Sequence, residues 1–64
     1  MSDDVEREHF LKGGAEADDC AARMATMAGF PPYSGLNEAG RLNMRAAAWE
    51  AYEAVRQYLE RNPQ

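Results

Sequence analysis

The segment Gly29-Phe30-Pro31-Pro32 decides the fold that the sequence predicts. It follows a stretch of helical periodicity that ends at Ala28. A glycine just past a helix, an apolar residue next and proline beyond are typical of a helix stop, since glycine adopts left-handed backbone angles and proline cannot continue a helix. Glycine and proline interrupt the chain together only in this middle segment, so we expect two long helices joined by a short connection.

The first helix is predicted over residues 4–28. Ser2 or Asp3 is its expected cap, and Glu6 follows Asp3 at the spacing of a capping box. At 100° per residue, the apolar and small residues of this segment share one stripe. The stripe comprises Phe10, Gly13, Gly14, Ala17, Cys20, Ala21, Met24, Met27 and Ala28. This placement makes Cys20 a small core residue rather than a reactive thiol.

Gly13 and Gly14 lie inside this predicted helix. The apolar stripe continues through them without a change of phase, so we interpret the pair as a close-contact notch within one helix. Each glycine costs about 1 kcal/mol relative to alanine in that position. The alternative is a break at the two glycines, which gives three helices instead of two.

The second helix is predicted over residues 38–61. Asn37 is its expected cap, and Asn62-Pro63 is its expected stop. One face carries small and apolar side chains, namely Met44, Ala47, Ala48, Ala51, Val55, Tyr58 and Leu59. Two such helices with a short connection predict an all-α fold, an antiparallel two-helix hairpin that forms a single domain over residues 1–64.

The composition predicts a thin core. The 64 residues include twelve alanines but only four leucines, two valines and no isoleucine, and a chain this short buries a small fraction of its surface. Chains of this size gain stability from disulfides, metals or oligomerisation, and a single cysteine excludes an internal disulfide. Two hairpins that pair through their second faces would form a four-helix bundle.

The charge balance favours a protein partner over nucleic acid. The net charge is −4, and residues 1–28 hold seven acids against three bases. Direct nucleic-acid binding requires a basic surface, which this chain lacks, whereas an acidic face suits a basic protein surface. The sequence has no apolar run of membrane-spanning length and no signal-peptide pattern at its start, so we expect no membrane association and a cytoplasmic location.

Leu42, Arg45 and Trp49 form the first candidate binding patch, on the side of the second helix opposite its main apolar face. Tryptophan and arginine dominate binding hot spots, so we predict that this patch contacts another protein or a second copy in a homodimer. The alternative is that Trp49 belongs to the core of the hairpin.

Phe30 and Tyr33 form a second candidate, because both aromatic residues lie in the connection between the helices, where binding residues are often found. The alternative is structural: Phe30 closes the end of the first helix, and Tyr33 covers the open end of the hairpin.

Glu6 and His9 have the Glu-x-x-His spacing of di-iron carboxylate bundles. Such a site needs a second motif and further glutamates, which a dimer would supply together with Glu53 or Glu60. A metal-binding bundle is therefore a third hypothesis, after binding to another protein and pairing with a second copy. Neither of those two requires a metal or other cofactor, and we expect none. One histidine and one cysteine offer no nucleophile and base in a sheltered cleft, so we do not expect an enzyme.

The segment Tyr33-Ser34-Gly35-Leu36-Asn37-Glu38-Ala39-Gly40-Arg41, followed by Arg45-Ala46-Ala47-Ala48, resembles a pattern of small phage-encoded helical proteins. Those chains show an aromatic residue, a leucine three residues later, a capping residue and an arginine in the first turn of an alanine-rich helix. The resemblance implies a stoichiometric inhibitor of a host enzyme or defence complex, such as an anti-CRISPR protein, in the host cytoplasm. The expected function is a protein-binding module, and the alternative is a structural homo-oligomer subunit.

Overall fold

The computed structural model describes residues 3–62, which form three α-helices and no strand. The helices are α1 (Asp3–Lys12), α2 (Ala15–Ala28) and α3 (Glu38–Arg61), with a 3₁₀ turn (Tyr33–Gly35) between α2 and α3. Both α1 and α2 pack against α3. The all-α prediction is confirmed, and within residues 3–62 no helix combines the length and apolar character needed to cross a bilayer.

The predicted single helix over residues 4–28 is wrong, and the alternative with a break at Gly13 and Gly14 is the one observed. Their φ angles are +99° and +131°, values that side-chain-bearing residues rarely adopt. The Gly13 amide still donates to the Phe10 carbonyl at 3.1 Å, and the Asp18 amide donates to the Gly14 carbonyl at 2.8 Å. The two glycines therefore end one helix and start the next within two residues.

The predicted stop of α2 is confirmed. Gly29 has a φ of +78° and donates its amide to the Thr26 carbonyl at 3.2 Å, while the Phe30 amide donates to the Ala25 carbonyl at 2.9 Å. These two bonds form a Schellman motif, which satisfies carbonyl groups that the helix end leaves without partners.

The predicted bounds of α3 are also confirmed. The Asn37 side chain accepts a hydrogen bond from the Gly40 amide at 2.8 Å, as a helix cap does. At the other end, the Asn62 amide donates to the Tyr58 carbonyl at 2.9 Å. Ser2 as a cap of the first helix and Pro63 as part of the stop lie outside the described residues.

The core is built from small side chains. Ala17, Ala21 and Ala25 are buried at intervals of four residues along α2, and Met44 and Ala48 are buried on α3. Ala21 and Ala25 cluster with Met44 and Tyr33. Small residues in a row allow two helix axes to approach closely, but each alanine removes little apolar surface from water.

The predicted stripe placed Cys20 and Met27 in the core, and this is wrong. Cys20 is exposed, and the exposed fraction of Met27 is 83%. At 100° per residue, both positions lie about 100–120° around α2 from the alanine row. The buried stripe of α2 is therefore narrower than predicted, because only the alanine row faces α3.

The side chain of Arg45 joins all parts of the fold. Its Nε donates to the Leu11 carbonyl at 2.8 Å, and its Nη1 donates to the Tyr33 hydroxyl at 2.8 Å. The Tyr33 hydroxyl in turn donates to Asp18 Oδ1 at 2.7 Å. Only 12% of the Arg45 side chain is exposed. One cation on α3 thus connects the end of α1, the start of α2 and the 3₁₀ turn.

We predict that Arg45→Met lowers the free energy of unfolding by about 2–3 kcal/mol, because the Leu11 carbonyl loses a charged donor and the Tyr33 hydroxyl loses another. Arg23→Met is the matched control. Arg23 pairs with Asp19 at 3.0 Å with both side chains largely exposed, and removing such a pair changes stability by less than about 1 kcal/mol. Urea denaturation followed by circular dichroism measures both, and equal losses would contradict the role of Arg45.

A second prediction concerns the break between α1 and α2. A Cβ added at Gly14 or at Gly35 meets no atom within 4 Å, but only Gly14 has a positive φ. Gly14→Ala should therefore lower the free energy of unfolding by about 1–3 kcal/mol through backbone strain, whereas Gly35→Ala should change it by less than about 0.5 kcal/mol. Thermal denaturation of both variants compares them, and a stable Gly14→Ala protein would refute the strained corner.

Candidate protein-binding surface

Trp49 is not the exposed contact residue that the sequence predicted, because only 7% of it is exposed. Its ring lies 5.4 Å from the Phe10 ring and 5.6 Å from the Tyr52 ring, measured between centroids. The break at the two glycines redirects α1 across α3, so that Phe10 reaches the tryptophan. A continuous first helix would have left that side of α3 uncovered, which is why the prediction failed.

Arg45 and Tyr33 are likewise part of the fold rather than of an exposed patch. Tyr33 is 8% exposed, as its structural alternative expected, and Arg45 has the buried partners given above. Leu42 and Phe30 are exposed to 44% and 56%. The predicted patch therefore does not face solvent as a unit, while a binding role for Leu42 or Phe30 stays a prediction.

The environment of Tyr33 perturbs its ionisation. Burial raises the pKa of its phenol above the ordinary value of 10.0, and the hydrogen bond to Asp18 adds to the increase because it favours the protonated phenol. Arg45 acts in the opposite direction through its hydrogen bond and its charge, but the net shift is upward. The phenol is therefore a neutral donor to the carboxylate of Asp18 at neutral pH.

A groove of about 800 Å³ opens between α1, α2 and α3 beside Trp49. Its lining is mostly small or apolar and includes Val5, Phe10, Ala17, Cys20, Trp49 and Tyr52. Glu6 and Glu16 supply carboxylates and His9 an imidazole around it, and the glycine corner adjoins it. The groove exists because the helix break holds α1 at an angle to α2. The prediction of one continuous first helix therefore did not include it.

The second half of α3 continues from this groove as an exposed apolar strip, formed by Tyr52, Val55 and Leu59. Their exposed fractions are 55%, 57% and 47%, and Tyr58 beside them is 55% exposed. The spacing i, i+3, i+7 places the three residues on one face of the helix. Tyr52 belongs to both features, since it also lines the groove. Groove and strip therefore form one surface.

The exposure of the strip corrects the sequence prediction, which placed Val55, Tyr58 and Leu59 on the face that packs against the first helix. At 100° per residue, Val55 lies about 120° around α3 from Trp49. Helix α1 covers the Trp49 side, so the Val55 side stays exposed. The signal available in the sequence was the Gly13-Gly14 pair, which begins three residues after Phe10.

Charged side chains border the strip. Arg56 donates to both carboxylate oxygens of Glu53 at 2.8 and 2.9 Å and approaches Glu60 at 3.5 Å. Arg61, in the last turn of α3, lies on the opposite side of the helix, where a cation interacts favourably with the helix dipole. The strip thus has the anatomy of a binding surface, an apolar centre with a charged rim.

The metal hypothesis gains no structural support. Glu6 and His9 both line the groove, but the described part of the chain contains no group of three or more histidine, cysteine, aspartate or glutamate side chains placed to hold a metal ion.

Comparison of the chain with known protein families, with curated proteins and with solved structures finds no match in any of the three.

We predict that Tyr33 ionises above the ordinary tyrosine range in the folded protein. Because its folded pKa is raised, its contribution to stability is complete below a pH of about 10 and is lost as the pH rises through the folded pKa. Alkaline titration of phenolate absorbance should show a late component that Tyr33→Phe removes and the exposed-residue control Tyr58→Phe retains. A late component that survives Tyr33→Phe would contradict the assignment.

Proposed function

We propose that this chain is a protein-binding module, and that its groove and strip together take an amphipathic helix of a protein partner. The observation that carries the proposal is the position of Tyr52, which lines the groove and begins the exposed row of Val55 and Leu59. Monomeric proteins rarely expose a contiguous apolar surface of this kind unless it binds something.

The shape of the surface favours a helix as the bound element. Helix-in-groove recognition uses apolar side chains at i, i+3, i+4 and i+7, set into a groove between helices. Here the groove runs between three helices, and Val5 (67% exposed) and Phe10 on α1 supply its far side. Glu6 and Glu16 along the groove suit a partner helix with basic residues at its edges.

The resemblance to small phage-encoded proteins predicts that the bound partner is a host or defence protein and that binding inhibits it. That assignment stays a prediction, and so does the cytoplasmic location. The present proposal needs neither, because it depends only on exposed apolar residues of α3 and on the groove.

The proposal predicts that Val55→Asp/Leu59→Asp abolishes partner binding. Each buried aliphatic side chain contributes about 1.5–3 kcal/mol, so replacing two by carboxylates should weaken binding at least about a hundredfold. The matched control is Ala54→Asp/Gln57→Asp, which adds the same charge to exposed positions on the opposite side of α3. Both variants should keep the helical circular dichroism of the wild type, since all four positions are exposed.

The measurement is affinity capture from extracts of the native cells. The amount of each captured protein is compared with the amount of bait, and an untagged copy of the chain counts as a possible partner. Wild type and control should retain one protein in a stoichiometric amount, and the strip variant should lose it. Equal retention by all three proteins, or no stoichiometric partner for the wild type, would refute the proposal.

A further inference from the structure

We infer that the helix taken by this surface belongs to a second copy of the chain, in a closed two-fold dimer in which each copy lays its strip in the groove of the other. This inference rests on the proposed function and names its partner. It is argued from the size of the surface, from the arrangement of strip and groove around Tyr52, and from their charges.

The lone chain is more extended than a folded protein of its size. Its accessible surface is 4848 Å², whereas a monomer of 7.1 kDa is expected to expose about 4,100 Å². Its radius of gyration is 12.5 Å, against about 10.7 Å expected for 64 residues. The excess surface of about 750 Å² is close to the roughly 800 Å² that each partner buries in a standard interface. An interface with one additional copy would bury an area of this size.

The order of groove and strip along α3 suits a two-fold axis. The groove involves Ala48 and Trp49 on the N-terminal side of Tyr52, and the strip involves Val55 and Leu59 on its C-terminal side. A two-fold axis near Tyr52 exchanges these two directions, so the strip of one copy then lies over the groove of the other. The same operation places the second strip over the first groove, which closes the assembly as an isologous dimer.

The charges agree with this arrangement. The groove carries Glu6 and Glu16, and Arg61 stands in the last turn of α3, on the side of the helix opposite Leu59. The exchange brings a basic helix end toward an acidic groove, and opposite charges at the rim of an interface favour the correct pairing over others. A strip that paired only with another strip would leave the groove and its carboxylates outside the interface.

The test uses two chains that are each damaged in one half of the surface. In the first, Val55→Asp/Leu59→Asp charges the strip and leaves the groove intact. In the second, a bulky maleimide on Cys20, the only cysteine of the chain, fills the groove and leaves the strip intact. Cys20 is exposed and lines the groove, so the label reaches it without unfolding the core. The label control is Cys20→Ala/Gln57→Cys carrying the same maleimide on the opposite side of α3.

Sedimentation velocity over a range of concentrations then measures the oligomeric state. We expect wild type and label control to dimerise at micromolar concentration, and each damaged chain alone to dissociate at least about tenfold more readily. An equimolar mixture of the two damaged chains should form a heterodimer, because one intact strip then meets one intact groove. Val5→Asp, at a residue of the groove that is 67% exposed, replaces the label if the labelled chain loses its helical signal.

Four results would overturn the inference. A wild type that stays monomeric at millimolar concentration has no self-interface, and a dimer unaffected by both groove changes pairs strip on strip. Damaged chains that do not combine, or wild-type assemblies larger than two, exclude the reciprocal two-fold exchange. If the chain is monomeric but still captures another protein in a strip-dependent manner, the second copy is refuted and the proposed function stands.

Discussion

The guanidinium of Arg45 holds the end of α1 against α3, and the rest of the structure depends on that attachment. Its bond to the Leu11 carbonyl satisfies a group that a helix end would otherwise leave without a partner. Two residues later, Gly13 turns with a φ of +99°, and a Cβ added there would make an ordinary van der Waals contact with the Arg45 Cζ atom at 3.6 Å. The cation and the corner fit each other: the corner brings the carbonyl to the cation, and the cation fixes the direction in which α1 leaves.

That direction determines which part of α3 is covered. A helix of ten residues can pack on one side of α3 only, and α1 covers the side of Trp49, where the Phe10 and Tyr52 rings lie tilted against the indole. The side that carries Val55 and Leu59 is left exposed as a consequence. The binding surface and the enclosed tryptophan are thus two results of one packing choice.

Signals that act within a few residues predicted the fold well, and signals that act between helices did not. The stop at Gly29, the cap at Asn37 and the bounds of α3 follow from local hydrogen bonding, and all were predicted. The break at the glycine pair was not, because the phase of the side chains passes through it unchanged and side-chain phase does not report a backbone φ. Because the break was missed, Trp49 was predicted to be exposed and Val55 to be packed against the first helix. Both predictions were wrong, since each depends on the path of α1.

The composition explains why the exposed surface bears on the stability of the chain as well as on its function. Among the described residues, four of the seven buried apolar side chains are alanines, and none of the four leucines is buried. Alanine contributes little burial energy, while several large apolar side chains stand exposed, among them Leu42, Val55 and Leu59. A ligand that binds only the folded state stabilises it in proportion to the logarithm of its concentration over its dissociation constant. Occupation of the groove and strip therefore supplies apolar burial that the isolated chain lacks, and binding and folding become linked in one equilibrium.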